Sequence, residues 1–313
     1  MFLTKDTYEK NIQLLAELFE RSFNRKISTE FLRWRYLHNP ISDILACVSF
    51  DSKRLVANYS ASPCILNIFG KLTKTGISMT TMTDPDYTGK GLFTQLAVEL
   101  YQLMPEKDYN MIWGFPNRNS HLNFINRLKW VDIYEIPTMH LNLENLVKRI
   151  DVSNKEVVTD NSFELDYSTA CAGKGEMISI EKSQQYLQWR YCHNPVNNYV
   201  NFVLSQGRFI TSFCVIKVYG RQLDIVDFQA VDKDQGMVLL LTAINYAMKL
   251  KLNSINCWAP RHHFFHSLCE RLGFYNKEPI TYFGARQLKD VGGLKQFSEF
   301  SNWYLQMGDS DVY

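Results

Sequence analysis

One ten-residue box, written twice, constrains this chain more than any other feature. Phe31-Leu32-Arg33-Trp34-Arg35-Tyr36-Leu37-His38-Asn39-Pro40 returns as Tyr186-Leu187-Gln188-Trp189-Arg190-Tyr191-Cys192-His193-Asn194-Pro195, identical at seven of ten positions and displaced by 155 residues. A solenoid repeat takes ~20–50 residues, so this period is that of a domain. The chain has 313 residues, and two copies of one domain fill it. Each box precedes an alternating strand, Ile44 to Val48 and Val200 to Leu204. Each half then continues with an apolar strand, a turn, a helix, a second strand and a second helix. The second helices close on Leu128-Lys129-Trp130 and Leu272-Gly273-Phe274. The expected domains are 1–150 and 151–313, joined at the polar run Asp151-Val152-Ser153-Asn154-Lys155-Glu156.

The first half carries a glycine turn between a strand and a helix. Ile77 to Thr83 is β-branched and apolar, as a strand requires. Asp84-Pro85-Asp86-Tyr87-Thr88-Gly89-Lys90-Gly91 follows, and Leu92 to Leu100 has apolar residues at helical spacing. Glycines let the main chain approach an anion, and a helix N-terminus adds unpaired N–H groups and a favourable dipole. A pyrophosphate suits such a place, with Lys90 as a further charge. The spacing is neither that of the dinucleotide fingerprint nor that of the phosphate-cradling P-loop. A second strand, Tyr109 to Trp113, leads into Gly114-Phe115-Pro116-Asn117-Arg118-Asn119-Ser120 and a helix from His121 to Arg127.

Residues 75–130 resemble the GNAT superfamily of acyl-CoA-dependent N-acetyltransferases. That family places an Arg or Gln, two residues, a Gly, one residue and a Gly or Ala at the start of a helix. A strand, an asparagine and a helix ending Leu-Gly-Phe follow. Asp86 to Gly91, Asn117 and Leu128-Lys129-Trp130 stand at those positions. The Trp-Arg-Tyr…Asn-Pro box and the Gly-Phe-Pro-Asn turn look like a tandem subgroup linked to bacterial surface-sugar metabolism. The resemblance implies a mixed α/β fold, with a mostly antiparallel sheet flanked by helices, used as two tandem domains. It implies acetyl-CoA as acyl donor. Main-chain atoms of Thr81, Met82 and Thr83 would polarise the thioester, and Gly89, Lys90, Gly91, Leu92 and Phe93 would hold the pyrophosphate. Asn117 and Ser120 would bond the pantetheine arm, with turn and cap roles as the alternative. Three positions depart from the family. Asp86 replaces the Arg or Gln, and Ile125 and its counterpart Cys269 replace the tyrosine used as general acid.

The second half reads as a degenerate copy that shapes the acceptor site. Its strand, Leu223 to Val231, runs into Asp232-Lys233-Asp234-Gln235-Gly236, a shorter turn with one glycine and two acidic groups that repel a pyrophosphate. For the catalytic base, His121, His38, His140, Asp309 and Asp311 compete. His121 stands at a helix start near the expected thioester, where a solvent-facing role is the alternative. His38 shares its box with His193 and reads as a structural hydrogen-bonding group. The final segment carries Trp303, Tyr304 and Tyr313, too aromatic for a frayed end. Because some tandem members place a terminal carboxylate in the active site, the resemblance implies Tyr313 as base, with Asp309 or Asp311 binding a cationic acceptor. Trp34, Trp189, Trp258 and Trp303 are candidate sugar platforms, core packing being the alternative.

Composition excludes other classes. A net charge of +2 gives no electrostatic footprint for nucleic acid. The seven cysteines, Cys47, Cys64, Cys171, Cys192, Cys214, Cys257 and Cys269, include no CxxC pair, which argues against a structural metal and against a disulfide scaffold. No signal peptide or ~20-residue apolar run is present. The expectation is a cytoplasmic, metal-free acetyltransferase with a small-molecule acceptor, an amino sugar or its nucleotide conjugate, and no membrane or nucleic-acid partner. Two other readings remain: transfer to a peptide or aminoacyl amine, and a non-catalytic acyl-CoA sensor.

Overall fold

The repeated box folds the same way twice. Ser28 caps Thr29–Leu32 by accepting from the Phe31 N–H at 3.1 Å, and Ser183 caps Gln184–Leu187 by accepting from the Tyr186 N–H at 3.2 Å. Each helix then widens into a π-turn, Arg33–Leu37 and Gln188–Cys192. The main-chain N–H groups of His38 and His193 close these turns onto Arg33 and Gln188, at 3.0 and 2.9 Å. Both imidazoles are exposed, so the expected side-chain role of His38 gives way to a main-chain one. The widening turns Trp34, Arg35 and Tyr36, and equally Trp189, Arg190 and Tyr191, into the interior.

The computed structural model describes residues 1–41, 43–144, 157–171, 176–289, 294–311 and 313. The expected join at Asp151 to Glu156 lies outside the described residues. In chain order the helices are α1 (Lys5–Lys10), α2 (Ile12–Phe23), α3 (Thr29–Leu32), α4 (Leu92–Glu106), α5 (His121–Asn126), α6 (Ser168–Cys171), α7 (Gln184–Leu187), α8 (Lys233–Lys249) and α9 (Phe264–Arg271). The strands are β1 (Leu45–Asp51), β2 (Arg54–Ile68), β3 (Lys71–Thr83), β4 (Met111–Gly114), β5 (Val131–Asn142), β6 (Val158–Thr159), β7 (Ile178–Ile180), β8 (Tyr199–Gln206), β9 (Phe209–Tyr219), β10 (Gln222–Gln229), β11 (Ser254–Cys257) and β12 (Tyr275–Gln287).

Two compact units result, and they divide the halves differently from a cut at residue 150. The first comprises Met1–Leu66, Lys71–Tyr134 and Tyr282–Ser298; the second comprises Asn67–Gly70, Glu135–Thr281 and Glu299–Tyr313. Each unit thus receives a strand end from the other half of the sequence. In the first unit the strand order is β1-β2-β3-β4-β12, where Gly284–Gln287 pairs antiparallel with β4. In the second it is β5-β11-β10-β9-β8-β6, where Met139–Asn142 pairs antiparallel with β11. The pairing is mostly antiparallel, as expected. The parallel pairs are β3 with β4 and β10 with β11.

Helices bury one face each. In α4, Leu96, Ala97, Leu100, Tyr101 and Met104 follow helical spacing and pack with Leu45, Tyr59 and Ile112. In α8, Leu239, Leu240 and Ile244 are fully buried against Ile225 and Phe228, each stabilising by ~1.5–3 kcal/mol. The helix-closing triplets show a local cost. Gly273 has φ +89° and Lys129, at the matching position, has φ +57°. A left-handed backbone costs a residue with a Cβ about 1–2 kcal/mol. Part of that gain returns to the freer unfolded chain when glycine is introduced. Lys129→Gly is therefore expected to raise stability by about 0.5–1 kcal/mol, read as a higher midpoint in urea.

Candidate functional site

In the first unit, the strand-turn-helix segment leaves a set of backbone donors open. Gly89 and Gly91 have φ of +78° and +79°, and a Cβ at either would meet nothing within 4 Å. Conformation, not space, selects glycine there. Gly91 is the N-cap of α4 and no side chain caps that helix. The first intrahelical bond runs from the Gln95 N–H to the Gly91 carbonyl at 3.0 Å. The N–H groups of Leu92, Phe93 and Thr94 therefore point out of the helix end without intrahelical acceptors. The side chains of Leu92 and Phe93 pack on the core beside Tyr59 and Phe124, which leaves their main chain for a ligand. Lys90 Nζ lies 4.1 Å from the Tyr87 ring centroid.

The acidic residues of this segment are neutralised locally. Asp84, buried, receives Arg21 Nε at 2.7 Å and Arg54 Nη2 at 2.8 Å, and Arg54 also reaches Asp86 at 3.0 Å. Burial alone would raise the Asp84 pKa, but Arg21, the Asp86 N–H and Arg54 outweigh it and hold the pKa below its ordinary value. Two carboxylates thus face two guanidiniums, and Asp86 no longer counts against an anion. Arg54 stands 32 positions before Asp86, so no local motif announces it.

Beyond the turn, β3 and β4 part. Their parallel pairing ends at Ser78↔Gly114, where a Cβ on Gly114 would sit 3.0 Å from the Ser78 carbonyl oxygen. Two residues on, Thr80 takes φ +54°, a local kink of the kind that ends strand pairing. Tyr36 of the box donates to Thr80 Oγ1 at 2.6 Å, and Asn58 Nδ2 donates to the Thr80 carbonyl at 2.7 Å. The box thereby fixes the strand end carrying Thr81, Met82 and Thr83, of which Met82 is buried and the other two half-buried.

Asn117 and Ser120 serve the turn before α5. Asn117 Oδ1 accepts from the N–H groups of Asn119 and Ser120, both at 3.0 Å, and Ser120 Oγ donates to the Asn117 carbonyl at 3.3 Å. Ser120 occupies the N-cap position without a side-chain cap bond. His121 stacks on Tyr282 with ring centroids 3.9 Å apart, and its Nε2 lies 3.0 Å from Asp132 Oδ1. That distance suits an ion pair, although the angle falls outside a hydrogen bond. No sequence pattern points to Asp132 or Tyr282, because one lies past the helix and the other comes from the far half of the chain.

In the second unit the counterpart is closed. The expected turn Asp232–Gly236 is not a turn: α8 starts at Lys233, and Gly236 lies inside it, where a Cβ would meet Leu268 at 2.9 Å. Asp232 caps the helix by accepting from the Gln235 N–H at 2.7 Å. Its own carboxylate therefore holds the position an anion would take. Cys269 is buried, with its sulfur 3.9 Å from that of Cys257, and burial raises its thiol pKa.

Of the candidate bases, His121 shares a unit with the glycine turn. Tyr313, Asp311 and Asp309 belong to the second unit. The Arg190 guanidinium donates to the Tyr313 main-chain oxygen, and the Tyr313 ring packs edge-on to Trp258 at 5.6 Å. His140, also in the second unit, has Nδ1 2.8 Å from Asn256 Oδ1. Trp34, Trp189, Trp258 and Trp303 are all buried, so they are core residues rather than open platforms for a sugar. Among the described residues, no three His, Cys, Asp or Glu side chains group to hold a metal ion, and no helix is long and apolar enough to cross a membrane.

Residues 3–131 match the family model described as an acetyltransferase (GNAT) domain. No curated protein matches the sequence. Solved structures share the fold at low identity. A protein of Enterococcus faecalis V583, described as a conserved protein of unknown function and probable N-acyltransferase, is 10% identical, with a TM-score of 0.66 over 92% of this chain and 72% of its own. A GCN5-related N-acetyltransferase from Anabaena variabilis ATCC 29413 is 10% identical, with a TM-score of 0.65 over 90% and 71%. The N-myristoyltransferase of Saccharomyces cerevisiae with bound myristoyl-CoA is 11% identical, with a TM-score of 0.61 over 91% and 81%.

Proposed function

We propose that this chain is an acyl-CoA-dependent N-acyltransferase whose donor binds in the first unit. The observation that carries this reading is the uncapped start of α4, headed by two left-handed glycines where β3 leaves β4. The donor set fits a pyrophosphate, which takes backbone N–H groups at a helix N-terminus. The match over residues 3–131 supports the same reading. Thr81, Met82 and Thr83 would line the donor's arm, Gly89 to Phe93 its pyrophosphate, and Asn117 and Ser120 the flank of the arm. When bound, an acyl-CoA supplies a thioester as the activated acyl group.

The chain's residues then have three tasks. Main-chain N–H groups at the end of β3 would polarise the thioester carbonyl. His121, oriented by Tyr282 and paired with Asp132, would take the proton from the acceptor amine as its nitrogen bonds to the acyl carbon. The departing thiolate gains a proton, so the amine becomes an amide and the donor a free thiol. We assign acetyl as the acyl group, and an amino sugar or nucleotide-linked amino sugar as the acceptor. That assignment rests on the resemblance of the Trp-Arg-Tyr…Asn-Pro box and the Gly-Phe-Pro-Asn turn; it carries with it the surface-glycan role and a cytoplasmic location.

Release of coenzyme A thiol from acetyl-CoA and longer acyl-CoAs, measured across amino sugars, peptides and aminoacyl amines, tests the reading. Turnover with amino sugars supports it. Turnover with peptides alone moves the acceptor class, and donor binding without any turnover makes the protein a sensor. His121→Gln is expected to lower kcat by about 10²–10⁴-fold while the Kd for acetyl-CoA stays within twofold. An unchanged kcat would remove His121 from the chemistry.

A further inference from the structure

The first and second units present the same opening between parallel strands, and in the second it is filled. Parallel pairing ends at Ser78↔Gly114 in one and at Ile225↔Cys257 in the other. The box tyrosine marks the same place beyond each: Tyr36 donates to Thr80, and Tyr191 donates to Asp227 Oδ2 at 2.8 Å. Phe228 is therefore the counterpart of Thr81.

Both main-chain groups of Phe228 are taken by one side chain. Its N–H donates to Gln306 Oε1, and its carbonyl accepts from Gln306 Nε2 at 2.9 Å and from Tyr304 Oη at 2.7 Å. A carboxamide that grips one residue's N–H and C=O reproduces what a neighbouring peptide group does. The segment around it is buried from Trp303 to Ser310, although a connecting or terminal segment ordinarily stays at the surface.

Four anchors hold it. The Tyr304 N–H donates to the Ile178 carbonyl at 2.9 Å. His262 Nε2 lies 2.9 Å from the Trp303 carbonyl oxygen. Arg190 Nε donates to the Gly308 carbonyl at 3.1 Å. Lys182 Nζ lies 3.6 Å from Asp309 Oδ1. Gly308 is required for closeness, since a Cβ there would sit 2.3 Å from Tyr191 Oη and 2.8 Å from the Val226 carbonyl.

We propose that Trp303–Ser310 is the permanent occupant of the second unit's ligand opening, with the Gln306 carboxamide standing where an amide-bearing arm would lie. The identity of that arm rests on the acyl-CoA reading of the first unit. Together with the Asp232 cap on α8, the segment limits the chain to one acyl donor and makes the second opening part of the core.

Amide hydrogen exchange on the full chain tests this, with and without saturating acetyl-CoA, alongside Gln306→Leu. In the unsubstituted protein the Phe228 amide and the amides of Trp303–Ser310 are expected to be strongly protected and unchanged by acetyl-CoA. In Gln306→Leu, exchange at Phe228 should rise at least 100-fold while one equivalent of acetyl-CoA still binds. Fast exchange of the segment in the unsubstituted protein, or its release by acetyl-CoA, would overturn the proposal. The unsubstituted measurement decides the matter even if Gln306→Leu does not fold. A protein that keeps these protections yet binds no acetyl-CoA retains its occupant, and the acyl-CoA reading alone falls.

Discussion

Replacing Gly89 and Gly91 together by valine is expected to lower acetyl-CoA affinity at least 100-fold and to leave the fold intact. Both glycines have φ near +80°, a region a β-branched residue enters only under strain. Each substitution costs about 1–2 kcal/mol in that conformation, and the exposed turn relieves the cost by changing shape. No neighbour resists that change, because a Cβ at either position would have nothing within 4 Å. The N–H groups of Leu92, Phe93 and Thr94 then lose their common aim. A hydrogen bond to a charged group contributes about 1.5–3 kcal/mol, so losing two removes about 3–6 kcal/mol, which is 100-fold or more in Kd. Calorimetric titration reads the affinity and circular dichroism the fold. Affinity within threefold of the unsubstituted protein would remove the turn from the binding site.

Lys182→Met is expected to destabilise the second unit by about 3–5 kcal/mol, because it leaves two buried carboxylates without their cation. Lys182 Nζ lies 2.6 Å from Asp227 Oδ1 and 3.6 Å from Asp309 Oδ1, and all three residues are buried. Burial by itself would lower the lysine pKa, but Asp227 and Asp309 outweigh it and raise the pKa above its ordinary value. A raised lysine pKa contributes stability that is complete below the unfolded value, about 10.4, and is lost as pH rises through the folded value. Urea denaturation at neutral pH should show the loss, and the alkaline decline in stability seen in the unsubstituted protein should be smaller in the variant. A midpoint unchanged at neutral pH would mean that the two carboxylates find other partners.

Much of this architecture is legible in the residues. The box, with its two serine caps and its buried Trp-Arg-Tyr core, can be read because helix caps and aromatic spacing are local. The glycine turn is legible for the same reason: φ +78° and +79° admit few other residues. Strand exchange is not legible. Nothing in Tyr282–Ser298 distinguishes a strand end that stays with its own half from one that joins β4, since both need only an apolar, pleated edge. The same holds for charge balance at Asp84 and Asp86, which depends on Arg21 and Arg54 arriving from other elements. The start of α8 misleads because Asp232 and Gly236 look like turn residues, whereas one is a cap and the other a close packing contact. The aromatic content of the final segment points to order, and the segment is buried, but its partner, the Phe228 main chain, carries no sequence signal at all.

The central claim is that one unit keeps a donor site while the other has filled its own. Calorimetric titration of the full chain with acetyl-CoA tests it most directly. One equivalent per chain, abolished by the Gly89→Val and Gly91→Val pair, is the predicted result. Two equivalents, or one that survives that pair of substitutions, would contradict it.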